Sequence, residues 1–283
     1  MSIQTVAVVG CGLMGAGIAQ VVAAAGYTTI VCEQQDEPLQ RGLARIRDGY
    51  ARSVKKGSMT THEADQAFAR IIPTLDRQTL AQTDLVIEAI AEQAELKFAL
   101  FHELDGICQP NTIFASNTSS IPIHQIAQAT TRPDRVAGFH FFNPVPLMQL
   151  IELVSTPFTS TTTQTELRAV GTQLGKTVVS VADQSGFIVN RLLIPYLFEA
   201  VRLLDNGVAD RDAIDTAMKL GCGYPMGPLM LLDVIGIDTA VAIGEVLARE
   251  LHDERLAAPA RLRTMVANGL LGRKSGGGFY PLA

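Results

Sequence analysis

Thr5-Val-Ala-Val-Val-Gly10-Cys-Gly12-Leu-Met-Gly15 is an apolar strand pattern that runs directly into a Gly-x-Gly-x-x-Gly loop. An alanine-rich segment, residues 13–25, follows and predicts a helix that Gly26 ends. In such a loop one glycine allows a tight turn, one lets the backbone approach a pyrophosphate, and one lets helix and strand pack closely. The order of strand, loop and helix therefore predicts a dinucleotide-binding unit.

The same stretch predicts which dinucleotide binds. A helix N-terminus offers unpaired N–H groups and a positive dipole to phosphates, so we expect the loop residues to contact the cofactor; these are Gly10, Gly12, Leu13, Met14 and Gly15. Glu33 ends the next strand pattern, 18 residues after Gly15, where a carboxylate accepts hydrogen bonds from ribose hydroxyls. Glutamines rather than an arginine follow Glu33, and a carboxylate repels a 2′-phosphate, so the pattern favours NAD over NADP.

Composition excludes several other classes of protein. The 283 residues include 23 Lys and Arg against 28 Asp and Glu, a net charge of −5, which argues against a general nucleic-acid binder. The first 32 residues carry no charged side chain, but without a basic start they do not resemble a secretory signal, and glycines and polar residues interrupt any membrane span. The 4 cysteines and 5 histidines show no metal-ligand spacing. We expect a cytoplasmic protein with reduced thiols, no metal, no nucleic acid and no membrane partner.

Two regimes divide the chain. Short β-rich runs alternate with helical patterns up to about residue 183, which predicts an α/β fold: a Rossmann-type, doubly wound, mostly parallel sheet. The expected strands are residues 5–9, 28–32, 85–89, 113–116, 136–140, 150–154 and 177–181. After residue 183 helical patterns dominate, so we expect a Rossmann domain at residues 1–183 and an all-α domain at residues 184–283. Segments 188–204 and 230–247 are apolar around much of their circumference, as expected for long helices that are either buried or part of an interface.

One helical segment reverses the overall charge. Residues 41–56 hold six Lys and Arg against Asp48 alone, a net of +5, and the spacing puts Arg41, Arg45, Arg52 and Lys56 on one face. This face is either an ordinary solvated surface or a seat for a polyanionic small molecule.

His140 and Glu152 form a candidate catalytic pair. His140 ends one expected strand and Glu152 lies twelve residues on, in the next. Neighbouring strands could bring the side chains together, and a histidine oriented by a carboxylate is a general base with a fixed tautomer. From the residues alone, a core histidine with a satisfied hydrogen bond is the commoner alternative.

Five further motifs carry a family resemblance. In order they are Ser116-Asn-Thr-Ser-Ser120, His140-Phe-Phe-Asn-Pro-Val-Pro146, Gly186-Phe-Ile-Val-Asn-Arg191, Gly223-Tyr-Pro-Met-Gly-Pro228 and Arg273-Lys-Ser-Gly-Gly-Gly-Phe-Tyr280. Together they resemble the L-3-hydroxyacyl-CoA dehydrogenases, especially the short bacterial 3-hydroxybutyryl-CoA dehydrogenases, from the first strand to the last few residues. The resemblance implies NAD-dependent interconversion of (S)-3-hydroxyacyl-CoA, in particular 3-hydroxybutyryl-CoA, with 3-ketoacyl-CoA such as acetoacetyl-CoA.

The resemblance also implies roles for individual residues. His140 is the base, Glu152 is its partner, and Ser119 and Asn190 bond the reacting oxygen and seat the thioester. The implied NAD contacts beyond the glycine loop and Glu33 are Glu92, Lys97, Ser119, Asn143 and Lys274. Lys56, with Arg52 on the same face, is implied to bind the CoA phosphates. The resemblance also implies a homodimer that pairs through the C-terminal domain.

Some alternatives stay open at this stage. Asn190 could be a helix cap or an interhelical polar group, and Lys97 a solvated helix residue. The family has a serine where Gly49 stands, and Gln149 replaces the usual lysine. Related dehydrogenases oxidise substrates without CoA, such as L-gulonate or L-carnitine, and a non-catalytic NAD-binding protein could keep the same fold.

Overall fold

Eight strands form one sheet within residues 3–281, the part of the chain that the computed structural model describes. They are β1 (Thr5–Val9), β2 (Thr28–Cys32), β3 (Ile71–Thr74), β4 (Leu85–Glu88), β5 (Ile113–Ser116), β6 (Val136–Phe141), β7 (Leu150–Ser155) and β8 (Thr177–Ala182). Their order across the sheet is β3-β2-β1-β4-β5-β6-β7-β8, and every neighbouring pair is parallel except β6 with β7. The first six strands have the doubly wound dinucleotide-binding order, which confirms the predicted fold class.

Helices cover both faces of this sheet, and its central strands are therefore buried on both sides. The α-helices of this unit are α1 (Leu13–Ala24), α2 (Asp36–Lys55), α3 (Thr61–Ala69), α4 (Ala94–Ile107), α5 (Ile123–Gln128) and α6 (Thr161–Gln173). All residues of β4, β5 and β6 are buried, as expected for parallel strands between two helical layers. One core cluster joins the apolar faces of α1 and α2 to β1 and β2.

The sequence pattern missed β3. The strand has four residues, includes Pro73, and pairs only with β2 at the edge of the sheet. Proline lacks the N–H that a ladder needs, so it is tolerated at an edge and makes a short segment read as a loop. The other strands lie where they were expected, with ends shifted by one residue in four of them.

The chain divides into two compact units, Met1–Gln184 and Ser185–Ala283, and the second unit is helical. Its α-helices are α7 (Val189–Asp205), α8 (Arg211–Cys222), α9 (Pro228–Ile235), α10 (Ile237–Leu251) and α11 (Ala260–Ala267). The single helix expected over residues 230–247 was wrong. Gly236 has a φ of +100°, a conformation that side-chain-bearing residues rarely adopt, and it separates α9 from α10.

Two buried acids organise the second unit. Asp215 accepts the N–H groups of Leu229 and Met230 at the start of α9, at 2.8 and 3.0 Å. Asp233 accepts the N–H groups of Phe279 and Tyr280, at 2.9 and 2.8 Å. These charge-assisted bonds fix the end of the described chain against α9.

Among residues 3–281, every helix falls short of the length and apolar character that a membrane crossing requires.

Candidate active site

The glycine loop connects β1 to α1, and of its three glycines only Gly12 has open space beside its Cα. A Cβ on Gly10 would lie 2.6 Å from the carbonyl oxygen of Ala89, and one on Gly15 would lie 1.8 Å from that of Gly10. Nothing lies within 4 Å of the corresponding position at Gly12. The outer glycines therefore allow close packing, while Gly12 leaves room for a pyrophosphate at the N-terminus of α1.

Glu33 follows β2 and faces this loop. One carboxylate oxygen accepts the N–H of Cys11 and the other accepts that of Gln34, both at 2.8 Å. A cavity of about 400 Å³ is bordered by Gly12, Glu33 and Arg77, among others. Open space beside an acid at the end of β2 suits the adenosine half of a dinucleotide, so the residues present fit NAD. Burial, and then the charge of Glu33, raises the pKa of the Cys11 thiol to about 11.

His140 and Glu152 lie directly opposite each other across the antiparallel pair β6–β7. The Nδ1 atom of His140 is 2.8 Å from Oε2 of Glu152, and the two residues are 6% and 1% exposed. An ionised carboxylate only accepts hydrogen bonds, so Nδ1 donates its proton and Nε2 carries the lone pair. This is the geometry of an oriented general base.

The loop that carries Ser119 is bonded to Glu92. Glu92 Oε1 accepts the N–H groups of Ser119 and Ser120, at 3.0 and 3.2 Å, and the hydroxyls of Thr118 and Ser120, at 2.5 and 2.8 Å. Burial alone would raise the pKa of Glu92, but Lys97 and the hydroxyl hydrogen bonds lower it below its ordinary value. Glu92 therefore stays ionised and holds the serine loop.

Asn117 ties the serine loop to the histidine strand. Its Oδ1 accepts the N–H of Phe141, next to His140, at 2.9 Å. Sequence reasoning did not single out Asn117, although it stands inside the Ser116–Ser120 motif.

Lys97 is not a solvated helix residue. It is 1% exposed, and its Nζ lies 2.5 Å from Oε1 of Glu88 and 3.2 Å from Oε2 of Glu92. An ammonium this deeply buried requires anionic partners, because its desolvation costs several kcal/mol. Sequence reasoning missed Glu88, the fully buried partner at the end of β4.

The basic face lies on α2, with Arg41, Arg45, Arg52 and Lys56 exposed at or beside the helix. Arg47 points elsewhere, with its guanidinium 4.5 Å from the centre of the Phe68 ring.

Gly49 faces the protein interior rather than this basic surface. A Cβ there would lie 2.3 Å from Oε1 of Gln20. The Gln20 side chain thus fills the space that a serine would need.

The turn between β6 and β7 carries two further residues that the sequence analysis singled out. Asn143 is exposed in the turn between β6 and β7, which Lys176 supports by donating to the carbonyls of Val145 and Met148. Burial lowers the pKa of Lys176. Exposed Gln149 accepts the N–H of Thr177 at 2.7 Å through its main-chain oxygen, and nothing in the structure explains the loss of the lysine.

Two candidates belong to the helical unit. Asn190 is the second residue of α7, whose N-cap is Ile188, so it does not occupy the cap position. Lys274 pairs with Asp238 across 2.5 Å, and both side chains are partly exposed.

Comparison with known proteins identifies the family. Residues 5–184 match the 3-hydroxyacyl-CoA dehydrogenase NAD binding domain, and residues 186–282 match the 3-hydroxyacyl-CoA dehydrogenase C-terminal domain. The chain therefore belongs to the 3-hydroxyacyl-CoA dehydrogenase family, which confirms the predicted family and NAD as the cofactor.

Relatives match over almost the whole chain. The probable 3-hydroxybutyryl-CoA dehydrogenase of Bacillus subtilis is 45% identical, covering 99% of this chain and 98% of the relative. The mitochondrial hydroxyacyl-coenzyme A dehydrogenase of Rattus norvegicus is 47% identical over 98% of this chain and 91% of its own length. The crystal structure of (S)-3-hydroxybutyryl-CoA dehydrogenase from Ralstonia eutropha superimposes with a TM-score of 0.95 at 44% identity, covering 100% of both chains.

Glu33→Gln tests cofactor selection. The substitution removes the charge and keeps an acceptor for the Cys11 N–H. We expect the preference for NADH over NADPH to fall about tenfold, because a carboxylate close to a 2′-phosphate costs about 1–4 kcal/mol. Fluorescence titration with each cofactor measures both Kd values. Glu37→Gln, on a side chain that is 80% exposed at the start of α2, should leave the ratio unchanged. An unaltered ratio in Glu33→Gln contradicts the assignment.

Proposed function

We propose that this protein interconverts (S)-3-hydroxyacyl-CoA and 3-ketoacyl-CoA with NAD, and that its substrates are the short-chain pair 3-hydroxybutyryl-CoA and acetoacetyl-CoA. The observation that carries the proposal is the buried contact between His140 and Glu152, 2.8 Å long, within a family of dehydrogenases. Relatives named 3-hydroxybutyryl-CoA dehydrogenase at about 45% identity support a substrate with a short acyl chain.

His140 acts as the general base in the direction of oxidation. Its Nε2 takes the proton of the substrate's 3-hydroxyl, and the Glu152 carboxylate at Nδ1 stabilises the imidazolium that forms. In the direction of reduction the imidazolium returns this proton to the oxygen. A positioned base of this kind contributes roughly 10²–10⁴ in rate.

Ser119 and Asn190 position the reacting oxygen in this proposal. The main chain that carries the Ser119 hydroxyl is held in place, because the N–H groups of Ser119 and Ser120 donate to Glu92. Holding the reacting oxygen at hydrogen-bond distance contributes through orientation. Asn190 is assigned by family resemblance and by its place at the start of α7.

NAD binding is assigned to the glycine loop and Glu33 and, by family resemblance, to Glu92, Lys97, Ser119, Asn143 and Lys274. When bound, the nicotinamide accepts or donates the hydride. Because Lys97 is buried against Glu88 and Glu92, its effect on the cofactor passes through Glu92.

The CoA phosphates are assigned to the basic face of α2. Arg52 and Lys56 are exposed there, and multiple positive charges attract a polyphosphate that the overall negative charge would not. This face also separates a CoA enzyme from a dehydrogenase of free hydroxy acids.

We also propose a cytoplasmic homodimer that pairs through residues 184–283. Several large apolar side chains of this unit are exposed: Leu192, Val208 and Leu220 are 69%, 67% and 82% accessible. Leu192 also lines one apolar surface pocket together with Ile188 and Tyr224, and a contiguous exposed apolar patch, unlike scattered apolar side chains, is typical of an interface. The four cysteines are all free thiols, which suits a reducing compartment.

His140→Gln tests the catalytic assignment. Wild-type protein should oxidise NADH with acetoacetyl-CoA, fastest among 3-ketoacyl-CoA thioesters of rising chain length. The variant should lose roughly 10²–10⁴ in kcat because glutamine cannot transfer the proton, while the Kd of NADH stays within about twofold. Stopped-flow absorbance and NADH fluorescence measure the two quantities. Turnover like that of the wild type in the variant rules out His140 as the base.

The double variant Arg52→Ala/Lys56→Ala tests the proposed binding site for the CoA phosphates. We expect KM for acetoacetyl-CoA to rise about 3- to 30-fold, since two exposed phosphate contacts are worth about 0.7–2 kcal/mol together. The effect should shrink as ionic strength rises. Arg47→Ala, on the same helix but over Phe68, is the control and should leave KM unchanged. Efficient oxidation of a hydroxy acid without CoA, with no change in this double variant, favours the related non-CoA enzymes.

Light scattering tests the dimer. At micromolar concentration the protein should have twice the chain mass of 30.3 kDa. Leu192→Asp should shift it toward the monomer, because a charge on a buried contact costs several kcal/mol. Leu75→Asp, at a side chain of the first unit that is 49% exposed, should leave the mass unchanged. A monomeric wild type contradicts the assembly, and a dimer unaffected by Leu192→Asp contradicts this face.

A further inference from the structure

A buried ion pair lies beneath the serine loop. Glu88 is 0% exposed at the end of β4, and Lys97, on the first turn of α4, is 1% exposed with its Nζ 2.5 Å from Oε1 of Glu88. Neither the general-base step nor the glycine loop uses Glu88. A buried pair like this is weak evidence for stability, because apolar residues of similar volume often serve as well. Its other contacts indicate what it does.

Glu88 bonds to the loops that follow two neighbouring strands. Its Oε1 accepts the N–H of Ile90 at 2.7 Å, after β4, and its Oε2 accepts the hydroxyl of Ser116 at 2.6 Å, at the end of β5. Its main-chain oxygen accepts the N–H of Asn117 at 2.9 Å. One residue therefore fixes the start of the serine loop.

Lys97 extends this network to Ser119. Its ammonium lies between Oε1 of Glu88 and Oε2 of Glu92, at 2.5 and 3.2 Å. Glu92, whose side chain is 38% exposed, accepts the N–H groups of Ser119 and Ser120 through its other oxygen. The loop is thus held at one end by Glu88 and at the other by Glu92, and one ammonium joins the two carboxylates.

We propose that Glu88 and Lys97 are positioning residues, which set the Ser119 hydroxyl for the reacting oxygen through Glu92. This rests on the proposed function, in which Ser119 contacts that oxygen. Removing the ammonium leaves Glu92 with the backbone and hydroxyl donors on its Oε1. The link from its Oε2 to Glu88 is then lost, and with it the constraint on the distance between this end of the loop and β4. A displacement of about 1 Å at a catalytic group costs up to roughly 100-fold in rate.

Charge-removing variants test this positioning role. Lys97→Met removes the ammonium, Glu88→Gln removes its buried partner while keeping an acceptor for Ser116, and the double variant removes both charges. For each, hydrogen exchange measures the amides of Ser119 and Ser120 in the protein without ligand. Steady-state kinetics with acetoacetyl-CoA separate kcat from KM, and calorimetry gives Tm.

We expect the double variant to recover Tm relative to Lys97→Met, because no unpaired buried charge remains. Its kcat should nevertheless stay about 10- to 100-fold below wild type, with KM for acetoacetyl-CoA within about threefold. The amides of Ser119 and Ser120 should exchange about tenfold faster or more in Lys97→Met and in the double variant. A recovered Tm with a low kcat separates positioning from a purely structural role.

A second ion pair on the same helix provides the control. Asp105, also on α4, pairs with Arg132 at 2.5 Å, and the two side chains are 7% and 11% exposed. Arg132→Met should lower Tm and leave kcat and the exchange of Ser119 and Ser120 unchanged. Equal acceleration of exchange in this control overturns the proposal, and so does wild-type kcat with wild-type exchange in the double variant.

The exchange measurement also separates the two hypotheses. If the wild type does not act on any acyl-CoA, the proposed function fails, and the exchange rates alone decide whether Glu88 and Lys97 hold the loop. Unchanged exchange then overturns the positioning role, whereas selective acceleration supports it.

Discussion

The site depends on the parallel pairing of β1, β4 and β5, because it brings the carboxyl ends of three neighbouring strands to the same side of the sheet. Strand order reverses between β1 and β4, and ligands of doubly wound sheets bind at such a reversal. The glycine loop follows β1, Glu92 follows β4, and Ser119 follows β5, so a constraint on strand pairing places all three together. The antiparallel return of β7 beside β6 then sets Glu152 opposite His140.

Carboxylates that accept main-chain N–H groups hold the connecting segments in both units. Each is deeply placed or faces a loop, and each bonds to two backbone amides; they are Glu33, Asp84, Glu92, Asp183, Asp215 and Asp233. A charged acceptor makes a hydrogen bond about twice as strong as a neutral one. Each of these connecting segments is therefore held by the carboxylate of a single acid. These six acids are part of the 28 Asp and Glu residues in a chain of which only 18% is charged.

Periodicity and loop chemistry predicted most of the fold and part of the site. The glycine loop, Glu33 and the strands around them follow local rules, so one sequence suffices to find them. Strand β3 was missed since Pro73 and an edge position remove the usual signal, and Gly236 divides a helix whose apolar pattern continues on both sides. The catalytic pair needed the register of β6 against β7, which spacing allowed and did not determine.

Lys97 shows what a closer reading of the same pattern can find. The buried residues of α4 are Lys97, Leu100, Phe101 and Leu104, at the spacing of one apolar helical face. A lysine in the first position of that face predicts a buried ammonium, which in turn requires a nearby acid. Glu88 is the acid within an otherwise apolar strand, and Ser116 follows the next strand. The pattern thus predicts that α4 and β4 are joined by an ion pair. That the same ammonium also contacts Glu92 depends on where α4 begins relative to the end of β4, which only the folded structure shows.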